Sequence, residues 1–495
     1  MKKTTLLLAI LIAATGSFAQ YQLEKVPITD NKKLDHFMTG CATDGDKFIF
    51  SATDRKPGIR NQKLYYHNGY SDIEAVPESI MNGVTPGLVY AQGYKGSIFF
   101  GGYKGGTDGL YTWDGYTPVR KIADVGIHLM TYMNNCFVDD KMYFFGRGVG
   151  ERVTYLYEID LKTNKLNKLT DDKYNVDGVI AHEGNVYFFD VNKREYINCY
   201  NIANKTITQI STGIKEQLVK RGYGIHSAVS AGGYLYLVIY TEELGYELYE
   251  CDGKSIQLVK NLSPYNNDGV SQGLINYNNK VYFAGNETGE EVYHLYNFDP
   301  ISKEFTQVLK EGYYPMHFCV KNNKLYFTMS EEEKGTQVYE YDDITNKLTK
   351  LTNRDRQIED GQFTPWKLTA IQNKLYVTST RGITYPNKFL EIYTIDLQQA
   401  STGINQKKIT TLKVTAHPNP TDNNTTVNVE IPTASKVKLI LKDISGKQVY
   451  EHHTMATQQR HSIAVPMQEL PAGVYVYQLL NESSQLLHSA QIVKR

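Results

Sequence analysis

One apolar strand pattern recurs eight times along the chain. KFIF opens at Lys47, SIFF at Ser97, KMYFF at Lys141, NVYFF at Asn185, YLYLV at Tyr234, KVYFA at Lys280, KLYFT at Lys324 and KLYVT at Lys374. The intervals are 50, 44, 44, 49, 46, 44 and 50 residues. A period in the forties with several short strands per unit points to a β-propeller. Around each anchor stand three more segments. A stretch of small residues precedes it, as in Gly178-Val179-Ile180-Ala181. An aromatic strand follows, such as LYTWDG from Leu110 or HLYNFD from His294, and ends on Asp or Asn as a hairpin turn does. A short outer strand such as Phe305–Leu309 completes the unit. The expectation is an all-β chain with an eight-bladed propeller over 20–397, seven blades being the alternative.

The last unit lacks its outer strand, because a polar stretch, QQASTGINQ, follows Asp396. Leu23-Glu24-Lys25-Val26-Pro27 can supply it from the other end of the chain. An N-terminal strand closing the last blade would hide an otherwise exposed sheet edge. The next segment, 398–410, reads as a linker.

Composition narrows the function classes. Lys plus Arg equals Asp plus Glu at 53 each, so no basic field exists to attract nucleic acid. Tyrosine is abundant, with 39 Tyr against 18 Phe and 2 Trp. Tyrosine suits half-buried strands, its ring packed and its hydroxyl in water. The five cysteines (Cys41, Cys136, Cys199, Cys251 and Cys319) are widely spaced and form no CxxC. They fit neither a disulfide framework nor a zinc site, and they read as small buried side chains, with one disulfide as the alternative.

The N-terminus has the three parts of a secretory signal over 1–19: Lys2 and Lys3, an apolar run from Leu6 to Ala14, and Ser17-Phe18-Ala19 before Gln20. The run is too short to span a bilayer, and no later stretch is long enough, so no transmembrane segment is expected.

From about Thr411 the pattern changes to short alternating strands, as in Val427–Ile431 and Val437–Leu441, which make a small Ig-like β-sandwich over 411–495. Its landmarks are Pro418-Asn419-Pro420, the turn Asp443-Ile444-Ser445-Gly446-Lys447, Leu470-Pro471-Ala472-Gly473 leading to Tyr475, and the basic end Lys494-Arg495. In order, these resemble the type A sorting domain of the type IX secretion system of Bacteroidetes. The resemblance implies the secretion machinery as partner, export across both membranes, and release or anchoring at the outer cell surface. The middle of the propeller unit, Glu247-Leu248-Tyr249-Glu250-Cys251-Asp252-Gly253, resembles a surface-repeat family with the signature Glu-Leu-Trp-x-x-Asp-Gly-Thr. Gly101-Gly102 and Val338–Asp342 are similar to kelch repeats. Either implies a propeller and neither implies an activity.

No nucleophile elbow, zinc-protease helix, P-loop or dinucleotide fingerprint occurs in its required context, so no catalytic residue is assigned. Asx-Gly turns at Asn175–Gly178, Asn266–Gly269 and Glu359–Gly361 have ligand types that Ca²⁺ takes. They are also what a plain turn requires, and that reading is preferred; no cofactor is expected. The least repetitive column opens the inner strands: Thr39, Val89, Met133, Asp177, His226, Gln272, Met316 and Trp366. Asp177, His226 and Trp366 from this column, with Trp113 and Tyr116, are the candidate ligand-binding residues. The expectation is a monomeric binding protein for a glycan, peptide or surface partner, with a propeller hydrolase or lyase and a structural surface component as alternatives.

Overall fold

In a computed structural model the described residues are 23–29, 34, 41–44, 47–56, 59–69, 71–87, 91–126, 135–193, 195–213, 225–264, 267–271, 273–290, 292–332, 334–353, 364–381, 389–397, 413–430, 435–443, 447–456, 461–481 and 486–495. The expected signal segment 1–19, the expected linker 398–410, Gly446 and the His226 side chain lie outside them. The chain divides into two compact units, Met1–Thr402 and Gly403–Arg495. It is all-β apart from one short helix, Glu78–Met81.

The first unit is propeller-like. Among the described residues it holds eight antiparallel sheets of four or five strands. Every anchor residue opens the second strand of a sheet, from Lys47–Lys56 in the first to Lys374–Arg381 in the eighth. These second strands are buried on both faces, which is why they read as continuous apolar runs rather than alternating ones. Sheets cover both faces because each packs on two neighbours. Separate apolar clusters join the first sheet to the second, the second to the third, and so on through the eighth. A further cluster joins the eighth to the first through Phe48, Phe50, Tyr65, Tyr376, Leu390 and Ile392.

Tyrosine is used differently from the sequence expectation. The rings are buried, but many hydroxyls meet carboxylates of adjoining strands or loops rather than water. Tyr143 donates to Glu158 at 2.8 Å, Tyr157 to Glu151 at 2.9 Å, Tyr296 to Glu287 at 3.1 Å and Tyr393 to Glu391 at 2.6 Å. A ring with a polar tip can be buried only if the tip finds a partner, and an ionised carboxylate is a strong one. The terminal Asp of the aromatic strand is accounted for as a turn residue. Asp252 Oδ1 accepts the backbone N–H groups of Lys254 and Ser255 at 2.8 and 2.7 Å, and Asp114 and Asp160 repeat the arrangement.

The N-terminal stretch sews the eighth sheet to the first. Leu23–Lys25 pairs antiparallel with Phe389–Asp396, matching Leu23 to Ile395 and Lys25 to Tyr393. The chain then crosses over, and Ile28 bridges Ile73 of the first sheet. Val26 and Leu34 are buried in the cluster between the two sheets. Lys374 Nζ donates to the Gly69 carbonyl at 2.8 Å, and the Tyr376 hydroxyl lies 2.8 Å from His67 Nδ1. Burial, reinforced by the Lys374 charge, lowers the His67 pKa to about 4, so this imidazole is neutral.

The second unit is two facing sheets around one core. Lys413–His417, Asn424–Glu430 and His461–Pro466 form one; Gln448–Ala456, Ser435–Lys442, Gly473–Asn481 and Leu486–Lys494 form the other. Val427, Val429 and Ile463 of the first meet Leu439, Tyr477 and Ile492 of the second. Asn419, between two prolines, donates to the Gln491 carbonyl at 2.7 Å and accepts from the Val493 N–H at 2.9 Å. Thr421 N–H donates to Val493 and Arg495 N–H to Thr421. The opening motif thus holds the last strand in place. Tyr475 is buried and donates to the Pro471 carbonyl at 2.8 Å, while Asp443 and Lys447 close their turn with reciprocal bonds.

Deleting residues 20–26 removes three paired residues and one buried valine. At about 2 kcal/mol for the side chain and about 1 kcal/mol per hydrogen bond, denaturant titration should show the first unit destabilised by about 3–5 kcal/mol. Asn419→Ala removes two hydrogen bonds, and the unfolding transition of the second unit should lose about 2 kcal/mol.

Candidate functional site

In every sheet of the first unit the inner and third strands run in the same direction, so their first residues share one end. Trp366, Asp177 and His226 lie at that end. Trp366 belongs to the inner strand Thr364–Ile371, Asp177 to Val176–His182 and His226 to Ile225–Ala231. Each sits in a register shift: between Pro365 and Lys367, between Val176 and Val179, and between Ile225 and Ser227. The extra residue of a β-bulge is left out of the ladder and turns its side chain away from the regular alternation. The column that breaks the repeat is therefore also where the strands break register.

Trp113 and Tyr116 are elsewhere. Trp113 is the last residue of a third strand, paired with Ile98 at the opposite end. It is 4% exposed, within the cluster between the first and second sheets. Its ring is packing, which corrects the expectation of an available aromatic face. Tyr116 is exposed, but Lys47 Nζ from the first sheet lies 3.7 Å from its ring centroid and donates to the Gly115 carbonyl at 3.0 Å. This is a clasp between sheets. The five candidates do not converge on one site.

The bulged end also carries residues that the sequence did not single out. The seventh inner strand, Tyr313–Lys321, has two successive register shifts, with Tyr314 and His317 at positive φ of 53° and 56°. Non-glycine residues in the left-handed region cost energy and are held only where the surroundings enforce them. Tyr314 and Met316 are each 42% exposed there, and the Tyr314 ring lies 5.6 Å from Tyr293 of the sixth sheet. Trp366, half-buried, packs against the cluster between the eighth and first sheets, and its Nε1 has no hydrogen-bond partner.

Beneath this surface His317 Nδ1 lies 3.0 Å from the Thr328 hydroxyl. Burial and the Lys367 charge lower its pKa to about 4. Cys319, two residues on, has its thiol pKa raised by burial. A nucleophilic cysteine needs a lowered pKa and a histidine able to take its proton. Here burial shifts both groups toward their neutral forms. The four described cysteines (Cys136, Cys199, Cys251 and Cys319) are free thiols.

Asn175 and Asp268 of the Asx-Gly turns use their oxygens on the protein, while Asn266 and the turn Glu359–Gly361 lie outside the described residues. Asn175 Oδ1 accepts from the Thr154 N–H and hydroxyl at 3.1 and 2.9 Å, and Asp268 Oδ1 accepts from the Tyr246 N–H at 3.1 Å. Among the described residues no group of three or more His, Cys, Asp or Glu is placed to hold a metal ion. Among them, too, no helix is long and apolar enough to cross a membrane.

Glu247 is a carboxyl whose pKa is raised rather than lowered. It lies in the third strand Gly245–Cys251 with no exposed surface. Oε1 accepts from the Ser263 N–H at 3.2 Å, and Oε2 has no partner. Gly269 presses against it; a Cβ there would come 2.3 Å from Oε1. Burial raises its pKa to about 7, with Asp268 adding to the shift against the backbone N–H groups of Leu262 and Ser263. The matching position of the seventh sheet holds Gln337, equally buried and bonded to Lys334 and Thr352. A neutral side chain thus serves the same place. The folded chain binds this proton more tightly than the unfolded chain, so stability is full below the unfolded pKa near 4.5 and falls as pH rises toward about 7. Glu247→Gln should flatten that fall, worth about 3 kcal/mol, in urea titrations at pH 4.5 and 8.

No curated protein sequence matches the chain. Among solved structures it is similar to a puromycin hydrolase S511A mutant, at 13% identity and TM-score 0.43, covering 73% of this chain and 61% of that one. The β-propeller domain of the Trilobed protease from Pyrococcus furiosus matches at 14% identity and TM-score 0.40, covering 66% of this chain and 97% of that one. PorZ, a surface component of the type IX secretion system of Porphyromonas gingivalis, matches at 9% identity and TM-score 0.27, covering 94% and 82%. Residues 415–494 match the family of secretion system C-terminal sorting domains. That tail is the mark of type IX secretion cargo, and the protein is exported to be attached at the cell surface or secreted.

Proposed function

We propose that the chain is an exported binding protein whose first unit is an eight-bladed β-propeller. In this reading a signal segment, 1–19, is removed, the propeller spans 20–397, the segment 398–410 is a linker and the Ig-like tail spans 411–495. The eight sheets, each joined to the next by an apolar cluster and the eighth joined to the first, support the blade count. The propeller captures a glycan or peptide at the end where its inner strands begin. The observation that carries this is the gathering of register shifts at that one end of the fourth, fifth, seventh and eighth sheets.

The exposed Tyr314 and Met316 suit a partner with apolar or ring faces. Aromatic side chains gain contact area at low conformational cost, and methionine adapts to irregular shapes. The neutral states of His317 and Cys319 favour binding over covalent catalysis.

The test is to screen the exported chain on glycan and peptide arrays beside a Tyr314→Ala/Met316→Ala double variant. A ligand held by the wild type should bind about tenfold more weakly to the variant, as expected for losing about 1.4 kcal/mol of contact. Turnover of a polysaccharide or peptide pool without retained ligand would instead establish the enzyme alternative.

A further inference from the structure

The second sheet holds a cavity of about 290 Å³, lined by Asn82, Val84, Lys104, Tyr111, Arg120 and Lys121 among others. Its wall depends on two glycines. Gly102 and Gly109 face each other across the second and third strands. A Cβ on Gly102 would come 2.9 Å from both the Tyr111 ring and Val84 Cγ1. A Cβ on Gly109 would come 2.5 Å from Lys121 Cε. The Tyr111 ring lies over Gly102 as the Tyr296 ring lies over Gly285 in the sixth sheet, and the Lys121 stem lies over Gly109. Asn82 reaches the cavity from the left-handed C-cap of the short helix Glu78–Met81, with φ 54°.

The polar groups at this cavity are mainly donors. Lys121 pairs with Asp124 and lies 3.4 Å from the Thr107 hydroxyl. The side chains of Lys104 and Arg120 have no hydrogen bond or ion pair with any described residue. Tyr111 is 1% exposed and its hydroxyl has no partner. The nearby acids, Asp108 and Asp124, act on Lys121 and on Tyr111.

We propose that this cavity is a binding site for a small anion: a phosphate, sulfate or carboxylate group, free or carried on a single sugar-sized unit. Arg120 and Lys104 supply the charge, and the Asn82 amide supplies a hydrogen bond. Arginine matches the planar pair of oxygens on such groups, and lysine acts as a point charge. The volume lies at the small end for ligand sites, which limits the occupant to one unit rather than a buried chain. This site is separate from the bulged end of the inner strands and does not depend on that reading.

Titration calorimetry on the full exported chain tests it, with inorganic phosphate, sulfate, galacturonate and neutral galactose as probes. At least one anion should bind at a single site, more weakly as ionic strength rises, and galactose should not. Lys104→Ala/Arg120→Ala should weaken binding about tenfold or more, as expected for charge-assisted bonds. Both side chains reach the surface, so the melting temperature should be unchanged. Binding of phosphate or sulfate alone identifies a free oxyanion, and binding of galacturonate alone an acidic sugar. The proposal is overturned if none of the anions binds, if galactose binds equally well, or if the double variant binds like the wild type.

Discussion

The contact between the first and last sheets is the constraint on which the rest of the first unit depends. A β-sheet of this kind is apolar on both faces and must be covered on both. Seven of the contacts join sheets that follow one another in sequence; the eighth must bring together parts of the chain more than three hundred residues apart. The chain answers with several independent links. Leu23–Lys25 lends a strand to the eighth sheet, Ile28 bridges to the first, and Val26 and Leu34 fill the space between. Phe48 stacks on Tyr376 at 4.6 Å, and Lys374 reaches over to the Gly69 carbonyl. Clasps of the same kind recur where Lys47 meets Gly115 and Lys280 meets Asp343. The closing contact is an instance of the repeat, reinforced by the N-terminal stretch.

Packing sheets face to face also explains the abundance of tyrosine. A phenylalanine would fill the same space, but the layer edges hold glutamates and aspartates from neighbouring strands and loops. A phenol reaches them. The pairing pushes the tyrosine pKa up, as at Tyr66, raised to about 12 by burial and Glu74, and it gives each ring a fixed direction. The pairs are local to their sheets, so they recur with the repeat rather than marking a site. The repeat is broken at the bulged inner strands.

How far the sequence could be read depended on the range of the forces involved. Each anchor residue opens a strand because a strand buried on both faces needs an unbroken apolar run, and such a run is local. The terminal Asp of each aromatic strand caps its own turn through hydrogen bonds two and three residues away, which is also local. The column of Asp177, His226 and Trp366 stood out through its irregular composition, but the register shifts beneath it could not be read. A bulge is a relation between two strands. His317 and Glu247 escaped notice for a similar reason: their proton affinities are set by burial and by Lys367 and Asp268, from neighbouring sheets or loops.

The sequence by itself therefore determined the repeat, its turn chemistry, the change of pattern near Thr411 and the landmarks of the sorting tail, since each is written in neighbouring residues. Only the tertiary structure decided that Trp113 is packing while Tyr314 and Met316 face outward, and that Asn419 fastens the final strand. It alone leaves Asn82, Lys104 and Arg120 beside one cavity. Exposure and partnership depend on which sheet lies against which, and chains of this kind settle that only when distant segments pack.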